Sequence, residues 1–135
     1  MATAVIYWSG TGNTEAMAKA VAEGAGAEAI SVSDFKGNIA DFDALGLGSP
    51  AMGDEVLEES EFEPFFAGIE DKIDGKKIVL FGSYDWGDGQ FMRTWENRVR
   101  AAGATIINDT GYTVNLEPDD TELAELRELG RKLAE

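Results

Sequence analysis

Short apolar runs alternate with segments of helical periodicity along the whole chain. The runs fall at residues 2–8, 28–32, 44–48, 77–83 and 105–107, the last resuming at 112–114. In the fourth run Ile78, Val79, Leu80 and Phe81 are consecutively apolar rather than alternating. That pattern belongs to a strand covered by helices on both faces, as in a parallel sheet. Between the runs, Met17, Ala20, Val21 and Gly24 recur at the spacing of one helical face. Phe62, Phe65, Phe66, Ile69 and Ile73 trace a second face, with Ser60 and Glu63 spaced as a capping box before it. Met92, Trp95, Val99 and Ala102 form a third, and Leu123, Leu126, Leu129 and Leu133 a fourth. Asp119 and Glu122 mark the start of the last helix, while Arg131 and Lys132 suit the negative end of its dipole. Residues 33–43 carry no clear period and are expected to form a loop.

Five strands alternating with four helices predict an α/β fold: a three-layer, doubly wound, five-stranded parallel sheet. Right-handed crossovers place helices on both faces. The 135 residues suit one domain, expected over 1–135, with no linker or repeat.

In such a sheet, ligands bind beyond the carboxyl ends of the strands, where the winding reverses. The first run is followed by Ser9-Gly10-Thr11-Gly12-Asn13-Thr14. Two glycines allow a tight turn and close approach to a ligand. The hydroxyls and amide offer hydrogen bonds, and free N–H groups at a helix start favour an anion. The loop has neither the Lys of a Walker A motif nor G-x-G-x-x-G spacing, so a phosphate here is held by neutral donors. An ordinary strand–helix turn reads the same way. The third run leads into Ser49-Pro50-Ala51-Met52-Gly53-Asp54-Glu55. Pro50 and Gly53 mark a turn, and Gly53 can supply the positive φ of a type II′ geometry. Met52 is an apolar side chain in a polar loop, either packed on the domain's own surface or presented to a ligand. The fourth run leads into Ser83-Tyr84-Asp85-Trp86-Gly87-Asp88-Gly89-Gln90. Tyr84 and Trp86 serve either as a stacking wall or as anchors over a helix end. Together the loops supply a phosphate cradle, an apolar wall and an aromatic wall at one edge. A planar ring tethered to a phosphate fits all three, and flavin mononucleotide (FMN) has that shape.

Charge and composition narrow the field. The 26 acidic and 11 basic residues give a formal charge of −15. A polyphosphate is repelled by such a chain, so nucleic-acid binding is not expected, nor is an anionic membrane surface. No apolar run approaches the roughly 18 residues of a membrane span. There is no cysteine and no histidine. Thiolate nucleophiles, disulfides, cysteine-ligated clusters, histidine metal sites and a Ser-His-Asp triad are therefore absent. Redox chemistry requires a non-covalent organic cofactor. No signal peptide is visible, and a cytoplasmic, monomeric protein is the expectation.

Three stretches carry a resemblance to the short-chain flavodoxins of clostridia and related anaerobes. They are Tyr7-Trp8-Ser9-Gly10-Thr11-Gly12-Asn13-Thr14-Glu15, Ala51-Met52-Gly53-Asp54-Glu55 onward to Phe62-Glu63-Pro64-Phe65, and Leu80-Phe81-Gly82-Ser83-Tyr84. The resemblance implies a flavodoxin-like sheet of strand order 2-1-3-4-5 with FMN at the switch point between the first and third strands. It implies a low-potential one-electron carrier, a ferredoxin substitute, and not an enzyme. Ser9, Thr11, Asn13 and Thr14 then hold the phosphate, and Met52 and Trp86 sandwich the ring. Glu55 receives the flavin N3–H, and the peptide at Gly53 turns on reduction to offer its carbonyl to N5. The main chain near Asp85 and Gly87 faces the pyrimidine edge. The full candidate cofactor-binding set is Ser9, Gly10, Thr11, Gly12, Asn13 and Thr14, then Pro50, Ala51, Met52, Gly53, Asp54 and Glu55, then Ser83, Tyr84, Asp85, Trp86, Gly87 and Gly89.

Three positions depart from the family pattern. Asp85 replaces the usual glycine and adds a charge near the ring. Phe91 replaces a second tryptophan. Leu116 stands where an Asn approaches the ribityl chain, with Asn115 beside it. Asp54, Glu55, Glu58, Glu59, Glu61 and Glu63, with Asp85 and Asp88, surround the expected ring and raise the cost of adding a second electron. The same acidity suits transient docking on redox enzymes with basic surfaces. Two other readings are an FMN-dependent reductase and a phosphorylated receiver domain. The chain has no evident nicotinamide site, and Ser9 and Ser49 stand where a receiver needs aspartates.

Overall fold

The computed structural model describes residues 2–52, 56–85 and 89–135. Four strands come first in the sheet: β1 (Thr3–Tyr7), β2 (Ala29–Ser31), β3 (Ala44–Gly48) and β4 (Lys77–Tyr84). Two shorter segments follow, β5 (Thr105–Ile106) and β6 (Tyr112–Asn115). All pairings are parallel, in the order β2-β1-β3-β4-β5, with β6 also on β4. The helices are α1 (Asn13–Ala25), α2 (Phe62–Ile69), α3 (Gln90–Ala101) and α4 (Asp120–Leu133).

The fifth strand position is divided. Lys77 of β4 pairs with Ala44 on one side and Thr105 on the other, while Phe81 pairs with Gly48 and Tyr112. β5 and β6 thus occupy one edge, separated by a single 3-10 turn at Ile107–Asp109. Ile107, expected in the strand, belongs to that turn. Asn108 and Asp109 there have φ of 65° and 66°, a region these two residues tolerate. The stretch 33–43 is mostly loop, as expected, but holds a short 3-10 turn at Ile39–Asp41 that buries Ile39.

Strand pleating decides which helix covers which face. Ala4, Ile6, Leu45, Leu47, Ile78 and Leu80 pack with the apolar stripes of α2 and α3, around Phe62, Phe66, Trp95 and Val99. Val5, Tyr7, Val79 and Phe81 pack with those of α1 and α4, around Met17, Val21, Leu126 and Leu133. Consecutive residues of β4 are therefore buried on opposite faces, which is why Ile78 to Phe81 show no alternation. α4 begins as predicted, with Asp119 Oδ1 accepting from Glu122 N–H (2.8 Å) and Glu122 Oε1 accepting from Asp119 N–H (2.9 Å).

α1 and α4 meet backbone to backbone. A Cβ at Gly24 would lie 1.8 Å from the Arg127 carbonyl oxygen, and one at Gly130 would lie 2.0 Å from that of Val21. Each glycine thus admits the other helix's main chain. This contact fixes where α1 lies against the sheet, and so where its amino end emerges. Gly130→Ala forces the helices apart and should cost roughly 1–3 kcal/mol of stability, measured as a lowered denaturant midpoint at unchanged slope.

Candidate functional site

Three loops leave the sheet at the carboxyl ends of β1, β3 and β4, and their main chains remain tied together past the strands. Trp8 N–H donates to the Gly48 carbonyl (3.0 Å), Ser49 N–H to Phe81 (3.2 Å) and Ala51 N–H to Ser83 (2.9 Å). The loops therefore start in a fixed register. Between them lies a cavity of about 260 Å³. The first loop lines it with Trp8, Gly10, Thr11 and Thr14, the second with Pro50, Ala51 and Met52, and the third with Ser83, Tyr84 and Asp85.

The first loop closes on itself before the helix starts. Gly12 N–H donates to Ser9 Oγ (3.1 Å), and Gly12 takes a φ of 97° as the residue preceding α1. A glycine has no side chain with which to cap the helix, and the first-turn N–H groups receive no capping side chain. Together with Thr11 and Thr14 they form a donor-rich, uncharged cradle suited to an anion. Among the described residues, no lysine or arginine lines the cavity. Thr14 Oγ1 and Ser83 Oγ lie 3.0 Å apart, both buried, and join the amino end of α1 to the end of β4.

Met52 is 38% exposed. Its main chain bonds to Val56 in both directions (2.9 and 3.1 Å), an isolated antiparallel bridge that fixes Met52 at the cavity rim. Tyr84 is half-buried against the core, and Asp85 is exposed. Of the other predicted site residues, Gly12 and Asn13 line a neighbouring depression with Thr11, against Glu117, Pro118 and Leu123. Ser9 acts within the loop through its bond to Gly12. Gly89 is the left-handed residue before α3, and Phe91 is buried beneath Gly82. Gly53, Asp54, Glu55, Trp86 and Gly87 lie outside the described residues, and with them the second half of the expected ring sandwich.

Trp8 is a wall of the cavity that sequence reasoning left as a strand residue. Its ring lies over Gly10, where a Cβ would come within 3.0 Å. Its indole N–H donates to Glu61 Oε1 (3.0 Å), linking the first loop to the turn before α2. The available signal was a tryptophan at a strand end directly before a glycine-rich loop.

Two expectations about the acidic stretch are corrected. Ser60 and Glu63 form no capping box: Glu61 precedes α2, and its side chain does not cap it. Glu58, expected with its neighbours to place charge around the ring, is instead turned inward and 4% exposed. Its carboxylate accepts from the N–H groups of Ser60, Glu61 and Phe62 (2.8 Å each) and from Ser60 Oγ. Its own N–H donates to Ser49 Oγ (3.0 Å), and that hydroxyl donates to the Pro50 carbonyl (3.0 Å). Glu58 thereby caps α2 and closes the base of the second loop. Burial pushes the Glu58 carboxyl up, but the bonds from the Ser60 hydroxyl and the three N–H groups outweigh it and hold the pKa below the ordinary value. Glu63 and Glu70 both pair with Arg98, whose guanidinium also sits 4.8 Å from the Phe66 ring centre. The hydrogen bonds to Glu63 and Glu70 raise the Arg98 pKa.

The flavodoxin family model matches residues 5–130 of this chain. The flavodoxin of Clostridium beijerinckii is 48% identical over 136 residues, covering 96% of this chain and 97% of that protein. That of Megasphaera elsdenii is 46% identical over 136 residues and 96% of each. The solution structure of its two-electron reduced form superposes with a TM-score of 0.81 at 44% identity, over 97% of this chain and 99% of that one. A flavodoxin structure from the domain Archaea gives a TM-score of 0.84 at 27% identity, over 99% and 96% of the two chains.

Glu58→Gln replaces a carboxylate with an amide that turns donors toward donors. At neutral pH it should lower stability by about 1–2 kcal/mol. Because folding lowers this pKa, the contribution is full above the ordinary value of 4.5 and is lost as pH falls through the folded value. Denaturant unfolding at several pH values should show the gap between wild type and variant closing in acid.

Proposed function

The chain belongs to the flavodoxin family, and from that premise we propose that the cavity at the carboxyl edge of the sheet seats FMN and makes the protein a low-potential one-electron shuttle, standing in for a ferredoxin. As a member of the family it is an FMN-binding electron carrier rather than an enzyme, and it passes electrons to redox partners. No helix among the described residues is long and apolar enough to cross a membrane.

The residues present fit the cofactor. The observation that carries the reading is the pairing of an uncapped, cation-free helix start with apolar walls across one cavity. A phosphate suits the first, and a flat heteroaromatic ring suits the second. When bound, FMN supplies the one-electron chemistry that no cysteine or histidine is present to offer.

The chain's own residues do the rest. Thr11 and Thr14 on the cavity wall, with Ser9 and Asn13 of the same loop, would donate to the phosphate, and Gly12 leaves the helix N–H groups without a side-chain cap. Thr14 reaches Ser83, so the cradle cannot move without the end of β4. Met52 at the cavity rim would cover one face of the ring, and by the family resemblance Trp86 would cover the other. By the family resemblance, Glu55 would accept from the ring's pyrimidine N–H and the Gly53 carbonyl would face the ring's N5. Asp85 at the rim opposes added negative charge and so lowers the potential. Glu63 contributes less to that opposition, being paired with the Arg98 guanidinium, whereas Glu61 accepts from a neutral indole and keeps its charge beside the cavity wall.

The net charge of −15 supports transient docking on redox enzymes that present basic surfaces. It also supports a monomer, through self-repulsion. A cytoplasmic setting is part of the same proposal.

Purified protein should bind FMN stoichiometrically, quenching the flavin's fluorescence. A chain that stays colourless after incubation with FMN overturns the reading. Thr14→Val removes a hydroxyl donor to a charged group and should weaken binding by roughly 10- to 100-fold. Electron transfer to a basic probe protein such as cytochrome c should slow as salt rises, because the Debye length falls to about 8 Å at physiological ionic strength. A salt-independent rate would remove the electrostatic docking role.

A further inference from the structure

Leu116 has a φ of 63°, in the left-handed region, and is 50% exposed. Branched side chains avoid that region. The other two non-glycine residues with positive φ among those described are Asn108 and Asp109, which tolerate it. Packing does not account for Leu116, since half its surface faces solvent. What the turn delivers is a set of hydrogen bonds to the cavity wall. Leu116 N–H donates to the Tyr84 carbonyl at 2.8 Å. The Asn115 side-chain amide donates to the same carbonyl at 3.1 Å and to that of Asp85 at 3.3 Å. Both partners are carbonyls, which only accept, so the amide's NH₂ end must face them.

These bonds fall where, among the described residues, the strand ladder ends. β6 pairs with β4 as far as Asn115 opposite Tyr84, and the ladder ends there. Asp85 is the first residue beyond it and lines the cavity. Its carbonyl is held by a side chain rather than by a neighbouring strand. Local strain that persists beside a site reads as a constraint maintained for the site.

We propose that Asn115 is a positioning residue for the cofactor: its amide clamps the Tyr84–Asp85 main chain and so fixes how close the Asp85 charge lies to the ring. The proposal rests on the FMN reading above. Asn115 itself touches no cofactor in this account. It acts through Asp85, the position where this chain carries an acid, and thereby sets the cost of the second electron.

Asn115→Leu keeps the side chain's size and removes both donors; Asn115→Ser, too short to reach either carbonyl, gives an independent version. In the cofactor-free chain, hydrogen exchange at the Leu116 amide should speed severalfold in both variants. FMN dissociation constants should rise about tenfold, as for the loss of one or two such bonds. The potential of the second electron step should move to less negative values as the Asp85 charge moves away from the ring; a tenfold differential effect corresponds to about 59 mV for one electron. In an Asp85→Asn background, the shift caused by Asn115→Leu should largely vanish, because the charge being positioned is gone. Unchanged binding and potential in folded variants overturn the proposal, as does a shift that persists undiminished without Asp85. A wild-type chain that binds no FMN overturns both readings, whereas normal wild-type binding with indifferent variants overturns this one alone.

Discussion

A chain with a formal charge of −15 has to hold a phosphate, and the cavity it offers has no lysine or arginine among its described lining residues. Without a cation among those residues, the proposed anion site relies on oriented N–H groups and hydroxyls at the amino end of α1. Such donors act only at hydrogen-bond range, and their placement has to be accurate. That placement is set far from the loop. Gly24 and Gly130 let the main chains of α1 and α4 touch, which seats α1 on the sheet. At the other end, Thr14 and Ser83 join the helix to β4. Packing of two helices thus controls the geometry of a binding loop more than 10 Å of chain away.

The two remaining loops are fixed by polar groups as well as by the burial of Leu57 and the packing of Ala51 and Tyr84 on the core. Glu58 folds inward, caps α2 and, with Ser49, closes the loop that carries Met52. Asn115 holds the main chain of Tyr84 and Asp85. Each device uses one side chain to satisfy several backbone groups, which a loop at the end of a sheet otherwise leaves to water.

Much of the architecture was legible in the sequence because burial leaves a periodic trace. Ile78 to Phe81, unbroken by polar residues, announced a strand covered twice, and the leucines of α4 gave its inward face. The three ligand loops were legible from glycines and hydroxyls at strand ends. Glu58 was not, because five glutamates in a short acidic stretch look alike until the chain's turn sends one of them inward. Trp8 was missed because its partner, Glu61, is 53 residues distant in sequence. The division of the fifth strand depends on consecutive left-handed residues at Asn108 and Asp109, which composition permits but does not demand. Leu116 gave no warning at all, since its side chain argues against the conformation it adopts.

The divided strand also bears on how this protein behaves in a crowded solution. One outer rim of the sheet is β2, three residues long; the other is interrupted, with two residues in β5 and four in β6. Unpaired strand borders are where foreign chains add themselves by backbone pairing, and short or broken borders give them little purchase. A carrier that passes electrons to redox partners is thereby spared the most persistent kind of encounter, the growth of its own sheet into a neighbour's.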